Sequence, residues 1–187
     1  GYVDAILAGN ALATHDLEGA LFQTALGQDI YTQESKNNGH YHHLDVLNRA
    51  REYGSLAEFV AANRIQDSVV AACVRTGVPM VLAGSIRDDG PLPEVFADVY
   101  AAQNAMRQHA KQATTVICLA TQLHSIATGN MTPAYQVVEG VVRPVFIYSV
   151  DVSEFAVNKL KDQGSLSVTS IVTNIQDFLV HIQRQLV

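Results

Sequence analysis

The chemistry-bearing residues of this chain follow its apolar runs. Asp151 closes the run Val145 to Val150. An acid at the end of an inner strand can accept hydrogen bonds from both ribose hydroxyls of an adenosine, which selects NAD over NADP. The competing reading is a solvated side chain beside a helix capped by Ser153. Gly84-Ser85-Ile86-Arg87-Asp88-Asp89-Gly90 follows a second run. Gly84 and Ser85 could bring backbone N–H groups against a phosphate. Arg87 offers a planar fork for a carboxylate. Asp88 and Asp89 could hold an ammonium, or one could act as a base, with Asp89 ahead of Asp88. The alternative is a loop whose charges neutralise one another. Gly9, Asn10, Ala11 and then Asp16 follow the first run, Thr121 the third and Asn174 the last. His15 and His124 lie in strand-end loops and are candidates for proton transfer, although a structural hydrogen bond serves either equally well. His40, His42 and His43 do not make a metal site by spacing, because adjacent histidines point to different helix faces and no Cys is near. No G-x-G-x-x-G follows any strand, and no G-x-S-x-G is present.

These residues need elements to position them. Tyr2–Ala8, 78–83, 114–120, 145–150 and 166–172 read as strands, and several are continuous apolar runs of the kind buried on both faces in parallel sheets. Helical spacing is read over 15–26, from Leu44 to a stop at Gly54, from a cap at Ser55 with Glu58 completing a capping box, and over 66–76 up to Gly77. Further helices are read over Pro93–Ala110, Gln122–Thr128, from Ser153 to Gln163, and from Asn174 to the C-terminus. Residues 27–39 read as a loop and 131–143 as a hairpin or loop. The sum is a three-layer α/β sheet of at least five strands in a single domain, 1–187. Ligands of such sheets bind outside the carboxyl ends of the strands, where the candidate residues collect.

Composition sets limits. Of the 187 residues, 48% are hydrophobic and 16% charged, so the chain can build a core and is not globally disordered. The low charge suggests that some surface is covered. The net charge of -6 and the lack of a Lys/Arg cluster argue against nucleic acid as a partner. No apolar stretch is long enough for a membrane helix. The two cysteines, Cys73 and Cys118, lie in apolar runs and read as buried free thiols, which fits the cytoplasm.

Gly1-Tyr2-Val3-Asp4-Ala5-Ile6-Leu7-Ala8-Gly9-Asn10-Ala11-Leu12-Ala13-Thr14-His15-Asp16-Leu17-Glu18 resembles a signature of the NAD-dependent prokaryotic ornithine cyclodeaminase family. That family is also called the lysine-oxoglutarate reductase/saccharopine dehydrogenase (LOR/SDH) conserved domain. The segments 82–93 and 119–130, and Ser149-Val150-Asp151 through Gly164-Ser165, are similar to it in the same order. The likeness covers essentially the whole chain, and is greatest to the version fused to an arginine dihydrolase domain. It implies a Rossmann-like parallel sheet akin to the NAD-binding domain of deoxyhypusine synthase. It implies NAD as cofactor, a small amino-acid substrate, and conversion of L-ornithine to L-proline and ammonia by internal hydride transfer. Ala8-Gly9-Asn10 and Asp16 would form the first nucleotide-contacting loop, with Gly84, Ser85, Thr121, Asp151 and Asn174 lining the rest. Arg87 would hold the carboxylate, Asp88 or Asp89 the amine, and His124 or His15 would move protons. Family members are longer upstream of Gly1, so the chain is expected to be a C-terminal portion, and related folds suggest a dimer or tetramer. The rival reading is a non-catalytic NAD-binding or oligomerising module. A lysine-borne intermediate is disfavoured, since Lys36, Lys111, Lys159 and Lys161 lie away from the strand ends.

Overall fold

The computed structural model describes residues 1–86, 90–162 and 167–186. The chain forms two compact units, Gly1–Ala105 and Met106–Val187.

In the first unit, β1 (Ile6–Gly9) runs straight into α1 (Asn10–Phe22). The helix was expected to start at His15. It starts five residues earlier because Gly9, in extended conformation, is itself the N-cap, so no loop intervenes. The expected loop over 27–39 in part pairs with what precedes it: β2 (Thr24–Ala25) and β3 (Gln28–Asp29) form a small antiparallel hairpin. Asp29 accepts the N–H groups of Tyr31 and Thr32 and pairs with Lys36, and these contacts, the Thr32 N–H foremost, hold its carboxyl well below the usual range.

Three helices follow, α2 (His42–Tyr53), α3 (Leu56–Ala62) and α4 (Val69–Thr76). Gly54 and Gly77 close α2 and α4 in the left-handed region, and the Ser55 side chain accepts the Glu58 N–H at the start of α3. The chain then enters β4 (Met80–Ala83), which pairs in parallel with β1 in the register Ile6 to Met80 through Gly9 to Ala83.

The helix expected from Pro93 begins only at Val99, as α5 (Val99–Ala110). Residues before it extend the edge of β4 instead. Phe96 N–H donates to Leu82 O, and Gly84 N–H donates to Phe96 O, each at 2.9 Å. Backbone groups satisfied by a neighbouring strand have no need of a helix turn. Leu17, Val46, Phe59 and Val70 are fully buried in the core of this unit, with Leu47, Leu56 and Leu82 around them.

In the second unit, β5 (Thr115–Leu119) leads to α6 (Leu123–Met131), then to a hairpin of β6 (Tyr135–Val138) and β7 (Val141–Pro144). β8 (Phe146–Asp151), α7 (Glu154–Asp162), β9 (Val168–Val172) and α8 (Ile175–Leu186) complete it. The strands are parallel in the order β5-β8-β9, so β8 is central. Leu160, fully buried, joins Cys118 and Ile147 in the core. All five apolar runs are thus strands of parallel sheets, two in the first unit and three in the second. Among the described residues, no helix is long and apolar enough to cross a membrane.

Candidate functional site

In the first unit the carboxyl ends of β1 and β4 lie side by side, with Gly9 opposite Ala83. Gly9 and Gly84 both sit at this edge, Ala11 is exposed on the first turn of α1, and Ser85 is exposed after β4. Arg87, Asp88 and Asp89 lie outside the described residues.

Two residues expected at a cofactor have other work in the structure. Asn10 is buried, and its amide spans 80 residues of sequence: Nδ2 donates to Gly90 O at 3.2 Å and Oδ1 accepts Leu92 N–H at 2.9 Å. Arg51 Nε adds a bond to Pro91 O at 3.0 Å. Gly90 is held at φ +134°, where only glycine is comfortable, and a Cβ there would collide with the Arg51 guanidinium. Asn10→Ala removes the acceptor of the Leu92 N–H and should cost about 1–3 kcal/mol of stability. A shifted urea midpoint with an unchanged slope is the result that would show it. Asp16 spends both carboxylate oxygens on the N–H groups of Val69 and Val70, at 2.9 and 2.8 Å. It caps α4 from a distant helix, a favourable place for a negative charge.

A second cluster lies along α1. Glu18 is fully buried, yet accepts from Thr24 Oγ1 at 2.8 Å and sits 2.9 Å from His15 Nδ1. Thr24 Oγ1 in turn lies 2.7 Å from His42 Nδ1. The His42 ring stacks on Phe22 at 4.6 Å between centroids. Glu18, Thr24 and His42 were missed as a group because they lie on three different elements. The only local signal was an acid on the apolar side of a helix. Among the described residues no group of three His, Cys, Asp or Glu could hold a metal ion.

In the second unit β5, β8 and β9 all end at one edge, and α6, α7 and α8 start there. Ala120 follows β5 at φ +51° while its N–H donates to Val150 O at 2.9 Å. Thr121 is half-buried and its carbonyl accepts the Ser125 hydroxyl. The N-terminus of α6 has no side-chain cap, so its N–H groups are available to an anion. His124 stands exposed on the first turn of that helix. Asp151 ends the central strand: Oδ1 accepts Ser153 N–H at 2.9 Å, and Oδ2 has no partner among the described residues. Asn174 caps α8, its Oδ1 accepting Gln176 N–H at 2.8 Å. The unit therefore offers an acceptor oxygen at the end of its central strand beside an uncapped helix start. That arrangement suits a ribose hydroxyl pair and a phosphate.

Residues 1–182 match the family model described as arginine dihydrolase ArgZ-like, C-terminal, Rossmann fold. The chain is 45% identical over 186 residues to an ornithine cyclodeaminase of Methanopyrus kandleri, covering 100% of this chain and 43% of that protein. A crystal structure of a conserved LOR/SDH protein from Methanococcus maripaludis superposes with a TM-score of 0.89 at 40% identity, covering 100% of this chain and 54% of the other. The ternary complex of AgrE with ornithine and NAD+ gives a TM-score of 0.87 at 42% identity, over 100% of this chain and 26% of that one. AgrE of Nostoc sp. is described as a bifunctional arginine dihydrolase/ornithine cyclodeaminase. The chain thus spans less than half the length of these curated relatives.

Proposed function

The chain belongs to the ArgZ-like C-terminal Rossmann family, and on that premise we propose that it binds NAD and takes part in converting L-ornithine to L-proline and ammonia. The observation that carries the reading is Asp151, an acid at the end of the central parallel strand with one carboxylate oxygen left to accept. The ligands in the AgrE complex support it.

NAD, when bound, would accept a hydride from the α-carbon of the amino acid and return it to the cyclised product. The chain's own residues would bind, orient and move protons. Asp151 would accept the ribose hydroxyls, with the start of α6 and the Thr121 backbone toward a phosphate. Gly9 would leave room for close approach at the end of β1, whereas the Gly84 N–H and the space beside its Cα are already taken by Phe96 O. Arg87 would hold the substrate carboxylate, Asp89 or Asp88 an amine, and a histidine the protons.

Thermal unfolding in the presence of NAD+, with NADP+ as control, tests the reading. At about a hundred times the dissociation constant, binding adds ~2.7 kcal/mol, a shift of roughly 5–10 °C. A shift with NAD+ alone is expected, and no shift with either would sink the proposal. Arg87→Ala should then raise the KM for ornithine while leaving NAD+ binding intact; equal loss of both would refute its assignment. The coverage of less than half of each curated relative favours a second reading, an NAD-binding module that depends on a further part of the protein for turnover. Binding without proline formation, cured by a longer polypeptide, is its signature.

A further inference from the structure

His15 and His124 have equal claims as proton carriers on sequence, and the structure separates them. His124 is exposed and has no hydrogen-bond partner among the described residues. His15 is bonded to a carboxylate that is itself fully buried and held from the other side.

The direction of each bond follows from counting protons. A hydroxyl has one to give, and Thr24 gives it to Glu18 Oε1. The contact between Thr24 Oγ1 and His42 Nδ1 must therefore have the ring N–H donating to the hydroxyl oxygen. A carboxylate oxygen only accepts, so His15 carries its proton on Nδ1, facing Glu18 Oε2. The neutral His15 ring then has its lone pair on Nε2. Its side chain is 33% exposed, and the His43 ring, 6.2 Å between centroids, flanks it. A buried acid spent on an imidazole rather than a fixed cation is a costly arrangement for packing alone. It is the arrangement that fixes a tautomer for acid–base work.

We propose that His15 is an acid–base group of this chain's ornithine chemistry, with Glu18 as its positioning residue, Thr24 holding Glu18 and His42 holding Thr24; this rests on the function proposed above. His15 Nε2 takes one proton from the substrate's α-ammonium. The freed lone pair forms the C=N bond as a hydride leaves the α-carbon for the nicotinamide of NAD+, so the carbon is oxidised and the nicotinamide reduced. The δ-amine, having lost its extra proton to solvent, adds to that carbon. The ring nitrogen, cationic after that addition, gives its extra proton to solvent, the His15 imidazolium returns its proton to the α-nitrogen, and the ring nitrogen's lone pair forms a new C=N bond as ammonia leaves; the hydride then returns from the nicotinamide to that carbon, giving proline and NAD+.

Two measurements decide it. Nitrogen–proton correlation spectra of the imidazoles should show neutral His15 as the Nδ1–H tautomer, and Glu18→Gln should release that preference. In turnover, His15→Gln should lower kcat about 100-fold and Glu18→Gln about 10-fold, with the Kd for NAD+ within about twofold of the parent. An Nε2–H tautomer in the parent chain overturns the dyad. A His15→Gln variant with kcat within about threefold of the parent overturns its catalytic role, and this variant, at a partly exposed site, remains decisive if Glu18→Gln fails to fold. A parent chain that does not turn over overturns the catalytic role of His15 in it, and one that also fails to bind NAD+ overturns the proposed function as well. The tautomer still decides the dyad in that case.

Discussion

Asp151→Ala is expected to weaken NAD+ binding by roughly 10–100-fold, the size of one or two hydrogen bonds to a charged acceptor. The fold should survive, because the lost Asp151 contact to Ser153 N–H is exposed and α7 keeps the Ser153 hydroxyl near Ala156 N–H. Calorimetric titration against both nucleotides gives the direct readout. NAD+ should lose affinity while NADP+ loses less, since removing the carboxylate also removes its repulsion of a 2′-phosphate. Unchanged NAD+ affinity would place the ribose elsewhere and take away the observation on which the functional reading stands.

The largest effect on stability is expected from Phe59→Ala. Phe59 has no exposed surface, lies in the core of the first unit, and meets the Tyr53 ring at 5.7 Å between centroids. Truncating a buried phenyl ring costs about 3–5 kcal/mol through lost transfer energy and the cavity left behind. For a chain of this length that is a fall in Tm of roughly 6–20 °C. Scanning calorimetry would show it, and a fall under about 2 °C would mean that the site collapses around the gap or that another unit dominates the transition.

What the sequence made legible was local. The parallel strands announced themselves as apolar runs, and Ser55, Gly54, Gly77 and Asn174 marked helix ends where the structure has them, because a cap is a contact within four residues. The place of Asp151 at the end of the central strand was legible for the same reason, since it stands one residue past its run. What escaped was settled by partners far along the chain. Asp16 looked like a ligand contact because it follows the first strand, but its carboxylate answers the start of a helix more than 50 residues later. Asn10 reaches across 80 residues to Gly90. The helix read over Pro93–Ala110 had its spacing right, yet Phe96 found backbone partners on β4 and the helix began after it. Glu18 was visible only as an acid, since the hydroxyl that bonds it comes from β2 and the imidazole behind that hydroxyl from α2.

The two cysteines have a consequence at the bench. Cys73 and Cys118 are the chain's only thiols, both are buried, and desolvation pushes both above the ordinary thiol range. Thiolate, the form that attacks a maleimide, is scarce at such sites near neutral pH. The native protein is therefore close to silent toward thiol dyes without any cysteine having to be removed. A single cysteine put in place of exposed Tyr31 and another in place of exposed Val137 would be labelled ahead of the native pair. A donor on one compact unit and an acceptor on the other would then let energy transfer report whether nucleotide changes the distance between the two dyes.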